Sequence, residues 1–291
     1  MVRVSDLEDR VWRAAERWSL LVGEPLIGGT SSAVFEARDG AGRDLVLKLA
    51  AEGSAAEDLT GAEAAALSGW VASGAAVRLV DATTDALLLA RARPGAPWPW
   101  TPPEPLDALV GVAADLLTRL WAAPPPSYRF PTLAAVYPRR EQLARADAAS
   151  EQLERGEPDR GVAGLRRLPT AAASAEHLIS TAVDRHLLHG DFITKNIVSD
   201  ATAPTGWVAL DPLPMIGDPA AEVGAFAAYH PAESILPIAE AMTGALALDR
   251  PRAMRWAAVW TVHQTAQAWR DDQEQLEQLV TSREIDRLLT S

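Results

Sequence analysis

Residues 187–198 read LLHGDFITKNIV, a polar turn between two short apolar stretches that carries Asp191 and, five positions later, Asn196. A further apolar stretch, WVALDP at 207–212, follows a polar turn and contains Asp211 near its end. Two short strands joined by a turn would bring Asp211 beside the other two side chains. The segment therefore predicts a hairpin with two carboxylates and one amide close together.

These three side chains form the set that phosphoryl transfer requires. The reaction needs an acceptor for the hydroxyl proton and oxygen ligands for Mg²⁺. We expect Asp191 to orient and deprotonate a substrate hydroxyl, and Asn196 and Asp211 to hold the metal. The alternative is an ordinary turn followed by a carboxylate that caps a strand. The first interpretation is favoured because the only Asn of the chain falls on the required position.

The basic residues of the chain are strongly skewed. Of its 27 Lys and Arg residues, only Lys48 and Lys195 are lysines. This skew is typical of a genome that favours Arg codons. A lysine retained against it is expected where the wider guanidinium group cannot do the same work.

A second candidate cluster lies in the first third of the chain. Residues 27–32 read IGGTSS between two strand-like stretches, so backbone N–H groups there could approach phosphates, although a purely structural turn is the alternative. Lys48 stands in the apolar strand LVLKLA, where an ammonium is costly unless paired. Glu63 is its expected partner, with Glu57 as the alternative. The predicted nucleotide-binding residues are Gly28, Gly29, Thr30, Ser31, Ser32, Lys48, Glu63 and Lys195.

A proline-rich stretch, RARPGAPWPWTPPEP at 91–105, divides the chain into two parts of different pattern. Before it, the pattern predicts two hairpins, a helix capped by Ser5 and a second helix. After it, helices dominate, with interruptions at residues 124–126, Pro158 and Pro169. We expect an α+β fold with a small β-rich lobe at 1–92 and a larger, mainly helical lobe at 93–291. The predicted helices are 6–18, 56–72, 105–122, 132–155, 170–187, 220–247 and 251–280.

The motifs together resemble the aminoglycoside phosphotransferase family of kinase-like enzymes. The resemblance is carried by GGTSSAVFEA, LVLKLA, GAEAAAL, LLHGDFITKNIV, WVALDPLPMIGDPAAEVGAF and WTVHQTAQAW. It is strongest to the branch with streptomycin 6-kinases and hydroxyurea phosphotransferases. The resemblance implies a bilobal, protein-kinase-like fold, ATP or GTP as phosphoryl donor, and Mg²⁺. It also implies that His189 and Asp218 support the catalytic loop.

Two positions depart from the kinase pattern. Asp211 is followed by Pro-Leu, not by the Phe-Gly of protein kinases, so no mobile activation segment is expected after it. Lys195 stands where the family is variable. It would either contact the γ-phosphate or only neutralise the loop.

Acidic and polar residues after the hairpin are candidates for the acceptor site. The chain carries a formal net charge of -12, which suits a cationic acceptor held by charge-assisted hydrogen bonds. A solvated helix face is the alternative role for each of these residues. The predicted acceptor-binding residues are Glu222, His230, Glu233, Asp271 and Asp272.

Composition also limits the other partners. The negative charge disfavours nucleic acid and anionic membranes, which would repel this surface. The chain has no cysteine, no apolar run of membrane-spanning length and no signal-peptide pattern at its start, so a cytoplasmic address is expected. We expect a monomer or a homodimer.

The leading functional hypothesis is phosphorylation of an aminoglycoside of streptomycin type, and hence antibiotic resistance. Hydroxyurea or an amino sugar is the alternative acceptor. A nucleotide-binding module without turnover is the alternative of a different class. The joint presence of Lys48, Asp191, Asn196 and Asp211 argues against such a module, because it would not need all four.

Overall fold

A computed structural model describes residues 4–26, 32–51, 54–102 and 105–290. The chain groups into two compact units, each described by itself below. Unit 1 comprises Met1–Ala96, Ala122–Arg129 and Val198–Leu213, and unit 2 comprises Pro97–Trp121, Phe130–Ile197 and Pro214–Ser291. The predicted boundary after residue 92 stays a prediction.

The helices and strands are numbered in chain order. The helices are α1 (Val4–Trp18), α2 (Ser54–Trp70), α3 (Leu106–Ala122), α4 (Leu133–Arg155), α5 (Val162–Ser180), α6 (Pro219–Ala228), α7 (Ile235–Ala245), α8 (Arg250–Gln267), α9 (Gln273–Val280) and α10 (Arg283–Thr290). The strands are β1 (Leu20–Pro25), β2 (Ala33–Asp39), β3 (Asp44–Leu49), β4 (Leu79–Ala82), β5 (Ala86–Ala90), β6 (Pro94–Pro97), β7 (His186–Leu188), β8 (Ile197–Asp200), β9 (Trp207–Ala209) and β10 (Met215–Gly217).

Unit 1 contains a five-stranded antiparallel sheet of order β1-β2-β3-β5-β4. Both predicted hairpins, β2–β3 and β4–β5, are confirmed. Side chains alternate between the two faces of a strand. In β3 the buried set is Leu45, Leu47 and Leu49, which pack in one apolar cluster with α1 residues such as Ala14. Lys48 falls between the members of this buried set, which directs its side chain to the other face of the sheet.

Two smaller sheets carry the segment around residue 191. Strand β7 pairs antiparallel with β10, and β6, β8 and β9 form a three-stranded sheet. The predicted hairpin after the polar turn corresponds to β8 and β9. The first apolar stretch, β7, pairs instead with β10, which the sequence pattern did not single out as a strand.

Helix α8 forms the centre of unit 2. Its residues from Ala253 to Ala266 are buried with the exception of Arg255, as expected for a helix surrounded by others. Two glycines allow the neighbouring helices to approach it closely. A Cβ atom built on Gly164 of α5 would lie 2.3 Å from the backbone nitrogen of Ala266, and one on Gly224 of α6 would lie 2.7 Å from the carbonyl carbon of Trp256.

Several predicted helix boundaries were wrong. Ser5 lies inside α1 and does not precede it. Pro169, predicted as an interruption, lies within α5, where its neighbours Leu168 and Ala171 are fully buried. Core packing of these neighbours outweighs the cost of one proline in the helix. The predicted helix at 251–280 is two helices, because Ala268 adopts a left-handed backbone with φ of 64°.

The predicted helix at 220–247 is also two helices, α6 and α7, separated by residues 229–234. No helix in the described ranges is both long and apolar enough to cross a bilayer.

Candidate active site

In unit 1, an ion-paired cluster joins Lys48, Glu63 and Asp211. Lys48 Nζ lies 2.8 Å from Glu63 Oε1 and 2.7 Å from Glu63 Oε2, and 3.1 Å from Asp211 Oδ1. The Lys48 and Glu63 side chains are only 11% and 8% exposed, whereas Asp211 is 43% exposed. The pair predicted from the strand pattern is therefore present, and Glu63 is the partner.

The electrostatics of this cluster favour a charged ammonium. Burial alone would lower the pKa of Lys48, but the carboxylates of Glu63 and Asp211 together raise it above its ordinary value. Burial raises the pKa of Glu63 against the effect of Lys48. Since both Glu63 oxygens lie within hydrogen-bond distance of the ammonium, we take the pair to be ionised at neutral pH.

Asp211 has an unusual backbone. Its φ of 52° lies in the left-handed region, which Asp tolerates better than most residues. Asp or Asn therefore fits this position better than most other residues do.

In unit 2, the turn after β7 presents Asp191. Gly190 has a φ of 76°, which glycine adopts without a Cβ penalty. Asn196 follows in a single helical turn at Thr194–Asn196, and its Nδ2 donates to Asp191 Oδ2 at 2.7 Å and to the Asp191 carbonyl at 2.9 Å. The carboxylate is therefore held in one orientation by the amide five residues later.

The backbone N–H and the carbonyl oxygen of Gly190 are each bonded to a side chain from a helix. Glu222 Oε1 of α6 accepts the N–H of Gly190 at 2.7 Å, and Arg140 of α4 donates to the Gly190 carbonyl oxygen. Glu222 also accepts from Trp121 Nε1 at 2.9 Å and is 4% exposed. Burial raises the pKa of Glu222 to about 7, although these hydrogen bonds act to lower it.

His189 and Asp218, the two supporting residues implied by the resemblance, lie in different parts of unit 2. His189 is fully buried in the turn, and its Nδ1 lies 3.3 Å from the backbone nitrogen of Asp191. Asp218 caps the start of α6 and accepts hydrogen bonds from Arg252 Nε and Trp256 Nε1, both at 2.6 Å. Asp218 thus joins α6 to α8. Glu222 is the carboxylate bonded to the Gly190 N–H, and the support of the catalytic loop by Asp218 stays a prediction.

A pocket within unit 2 opens at Asp191. Its volume is about 100 Å³. Gln264 and Tyr229 form part of its wall, and burial raises the pKa of Tyr229 to about 12, so the phenol stays protonated at neutral pH. The side chains that matter for its chemistry are those of Arg140, Asp191, Tyr229, Trp260, His263 and Gln264.

The five residues predicted to bind the acceptor do not line this pocket. Glu222 is the buried brace of the turn. His230 is fully buried, with Nδ1 3.1 Å from the Phe226 carbonyl oxygen, and burial lowers its pKa to about 4. Asp272 accepts hydrogen bonds from Arg270 and from the Ala232 N–H. Each of these three side chains already has a partner within the protein, and their acceptor-binding role stays a prediction.

The remaining predicted residues are less constrained. Glu233, Asp271 and Lys195 are exposed, and their proposed contacts stay predictions. Ser32 is half-buried just before β2. Residues Gly28, Gly29, Thr30 and Ser31 lie outside the described residues.

Residues 17–273 match the model of the aminoglycoside/hydroxyurea antibiotic resistance kinase family. The match covers most of the chain. The chain belongs to this family. It is therefore a phosphotransferase, as the catalytic turn and the Lys–Glu pair suggested.

Two curated relatives of this kinase are informative. A hydroxyurea phosphotransferase of Kitasatospora aureofaciens is 30% identical over 264 residues, which are 87% of this chain and 70% of that protein. A streptomycin 6-kinase of Streptomyces glaucescens is 31% identical over 227 residues, which are 73% of this chain and 66% of that protein.

Solved structures confirm the fold of this kinase. An aminoglycoside phosphotransferase of Streptomyces rimosus, solved with ADP and streptomycin, superposes with a TM-score of 0.58 at 20% identity, covering 93% of this chain and all of that one (100%). A choline/ethanolamine kinase family protein of Mesorhizobium loti gives 0.60 at 14% identity, covering 96% and 97%. The predicted α+β fold of protein-kinase type is confirmed.

Proposed function

We propose that this kinase transfers the γ-phosphoryl group of ATP, or of GTP, to a hydroxyl group of a small molecule, with Asp191 as the proton acceptor. The observation that carries the proposal is the fixed Asp191 carboxylate at the pocket in unit 2. Asn196 orients it at 2.7 Å, and the turn before it is held at Gly190 by Glu222 and Arg140. A carboxylate held in this way beside a pocket is suited to general-base catalysis.

In the proposed reaction, the acceptor hydroxyl donates its proton to the Asp191 carboxylate as its oxygen attacks the γ-phosphorus. The bond between that phosphorus and the β,γ-bridging oxygen breaks. ADP leaves with the electron pair, and the acceptor becomes a phosphate ester. In phosphoryl transfer most of the rate enhancement comes from positioning the two reactants and stabilising charge, because the protein itself forms no covalent bond to them.

Lys48 is the proposed contact to the nucleotide phosphates. Its ammonium is positioned by Glu63 and lies within reach of Asp211, as a Lys–Glu pair does in kinases. We also propose that residues 1–92 form the nucleotide-binding lobe and residues 93–291 the catalytic and acceptor-binding lobe.

Asp211 and Asn196 are the proposed ligands of a Mg²⁺ ion that would bind together with the nucleotide. Within the described part of the chain, no group of three or more acidic or histidine side chains could hold a metal ion. Magnesium sites of phosphotransferases need fewer, because substrate phosphates and water complete the coordination. Asp211 would supply a carboxylate oxygen and Asn196 its Oδ1, since Nδ2 of Asn196 is bonded to Asp191. The bound ion would neutralise charge on the phosphates.

The curated relatives suggest two acceptors, hydroxyurea and streptomycin, and an amino sugar is a third candidate. The direct test is a coupled ADP-release assay with Mg²⁺ and ATP or GTP over hydroxyurea, streptomycin, other aminoglycosides and amino sugars. We expect acceptor-dependent ADP release that Asp191→Asn removes. A protein that binds nucleotide but releases no ADP with any acceptor would be a nucleotide-binding module, and the proposal would be wrong.

A further inference from the structure

Arg140 is the one arginine or lysine that lines the pocket at Asp191, within the described part of the chain. It is half-buried on α4, with its guanidinium carbon 5.3 Å from the centre of the Trp260 ring. It also donates to the Gly190 carbonyl oxygen, next to Asp191. The stacking and the hydrogen bond fix a positive charge at the place where the acceptor would bind.

Asp191 carries the opposite charge, but its carboxylate is the proposed partner of the acceptor hydroxyl, and the other titratable groups that line the pocket, Tyr229 and His263, are uncharged at pH 7. Burial, with help from Arg140 and Arg145, lowers the pKa of His263 to about 4, so its ring is neutral at pH 7. Its Nε2 lies 2.8 Å from the hydroxyl oxygen of Tyr137.

We propose that Arg140 determines acceptor specificity, so that this kinase phosphorylates small uncharged hydroxyl compounds in preference to cationic ones. The inference rests on the proposed function, because it places the acceptor in the pocket beside Asp191. A cationic acceptor would meet Arg140 at short range, where the low dielectric of a partly buried site screens repulsion poorly. Rejection of a wrong substrate by an unfavourable charge is a common route to specificity.

The size of the pocket points the same way. Pockets for drug-sized ligands commonly measure roughly 300–1,000 Å³. The pocket beside Asp191 measures about 100 Å³. An acceptor as small as hydroxyurea would fit within this volume, whereas an aminoglycoside would extend out of the pocket into solvent.

Two pairs of acceptors test the proposal. Glucose and glucosamine differ mainly by one ammonium group, and hydroxyurea and streptomycin differ in both charge and size. The measured quantity is the ratio of kcat/KM for the neutral member to that for the cationic member. In the wild-type enzyme we expect this ratio to favour the neutral member by about 5-fold or more, the effect of two like charges about 4 Å apart even at the dielectric of bulk water.

Variants then separate charge from positioning. Arg140→Gln should lower kcat for all acceptors, because Gly190 loses a partner, but it should also reduce the ratio toward one. Arg140→Lys keeps the charge and should retain the ratio. Leu143→Glu adds an acidic group at a pocket residue that is 49% exposed, and should reduce the ratio without disturbing the turn. Arg139→Gln, at an exposed neighbour on the same helix, is the matched control and should leave the ratio unchanged.

Preferred turnover of glucosamine over glucose, or of streptomycin over hydroxyurea, would overturn the inference. So would an unchanged ratio in both Arg140→Gln and Leu143→Glu. Each of these outcomes leaves the proposed function standing. Absence of ADP release with every acceptor would instead overturn the proposed function, and this inference with it.

Discussion

The backbone N–H of Gly190 donates to Glu222 Oε1 at 2.7 Å, so a buried carboxylate on α6 holds the turn that presents Asp191. The position is energetically unusual, since an ionised carboxylate in a dry site is costly even with hydrogen-bond donors. The raised pKa of Glu222 follows from this cost. The stability of the turn should therefore depend on pH.

The first prediction concerns that dependence. The native pKa of Glu222, about 7, lies above the unfolded value, about 4.5. Below the unfolded value the carboxyl is protonated in both states, and its full contribution to stability is present. As pH rises from about 4.5 to about 7, only the unfolded state loses the proton, so stability falls by an amount of order 3 kcal/mol and then levels off.

The measurement is the free energy of unfolding against pH, in wild type and in Glu222→Gln. Gln keeps an oxygen that can accept from Gly190 but does not titrate. We expect the difference between the two proteins to change across this window and to be flat above it. Parallel curves from pH 4.5 to 8 would mean that Glu222 keeps an ordinary pKa.

The second prediction concerns Asp191. Asp191→Asn should preserve the fold and nucleotide binding while lowering kcat by about 10²–10⁴, the usual cost of losing a general base. Single-turnover ADP release and the melting temperature are the measurements. Asp184→Asn, at an exposed position outside the turn, is the control and should behave as wild type. Near-normal kcat in Asp191→Asn would remove Asp191 from the proposed role.

The third prediction separates charge from backbone strain at Asp211. Asp211→Asn and Asp211→Ala should both abolish the dependence of nucleotide affinity on Mg²⁺, which calorimetry of ADP binding with and without the ion can measure. Asn tolerates the φ of 52°, whereas Ala adds about 1–2 kcal/mol of strain. Only Ala should therefore also lower the melting temperature clearly. An unchanged Mg²⁺ titration in both variants would refute the metal role.

Two kinds of feature of the site could be predicted from the sequence: contacts between residues close in the chain, and side-chain directions set by the alternation along a strand. Asn196 reaches Asp191 across five residues, and the alternation of β3 placed Lys48 on the face away from the apolar cluster. The sequence could not predict that Glu222 and Arg140 support the turn. Glu222 and Arg140 lie 32 and 50 residues from Gly190 along the chain. Their contacts with Gly190 form only because the tertiary fold places α6 and α4 beside the turn.

The acceptor site illustrates the same limit. Net negative charge and several acidic residues suggested a cationic acceptor, but sequence does not tell which acids are already bonded. Asp272 is bonded to Arg270, which is itself 1% exposed. The pocket beside Asp191 has a positive charge from Arg140 on a different helix. A cationic acceptor stays a prediction, because the net charge of the chain does not show which charged groups line the pocket.

The fourth prediction concerns the close contact of α5 with α8. A Cβ on Gly164 would lie 2.3 Å from the backbone nitrogen of Ala266, so Gly164→Ala must displace one helix. We expect a loss of about 1–3 kcal/mol or more in the free energy of unfolding.

Gly111→Ala in α3 is the matched control for Gly164→Ala. Gly111 is exposed, and a Cβ added there would meet no other element of the described chain within 4 Å. The change should be stabilising by about 0.4–1 kcal/mol. Equal effects of the two substitutions would contradict the close contact of the two helices.

The last prediction concerns Lys48, whose ammonium lies within 2.8 Å of both Glu63 oxygens and 3.1 Å from Asp211 Oδ1. Charge alone could be supplied by Arg, the dominant basic residue of this chain. The guanidinium is wider and has a fixed planar set of donors, so it should not fit between Glu63 and the nucleotide phosphates. Lys48→Arg should therefore remain folded but lose most of its kcat/KM for the nucleotide. Lys48→Met should be as inactive and also less stable by about 3–5 kcal/mol, since Glu63 is left buried and unpaired. Wild-type kinetics in Lys48→Arg would make Lys48 a structural charge, and Lys195 would then be the lysine to test at the phosphates.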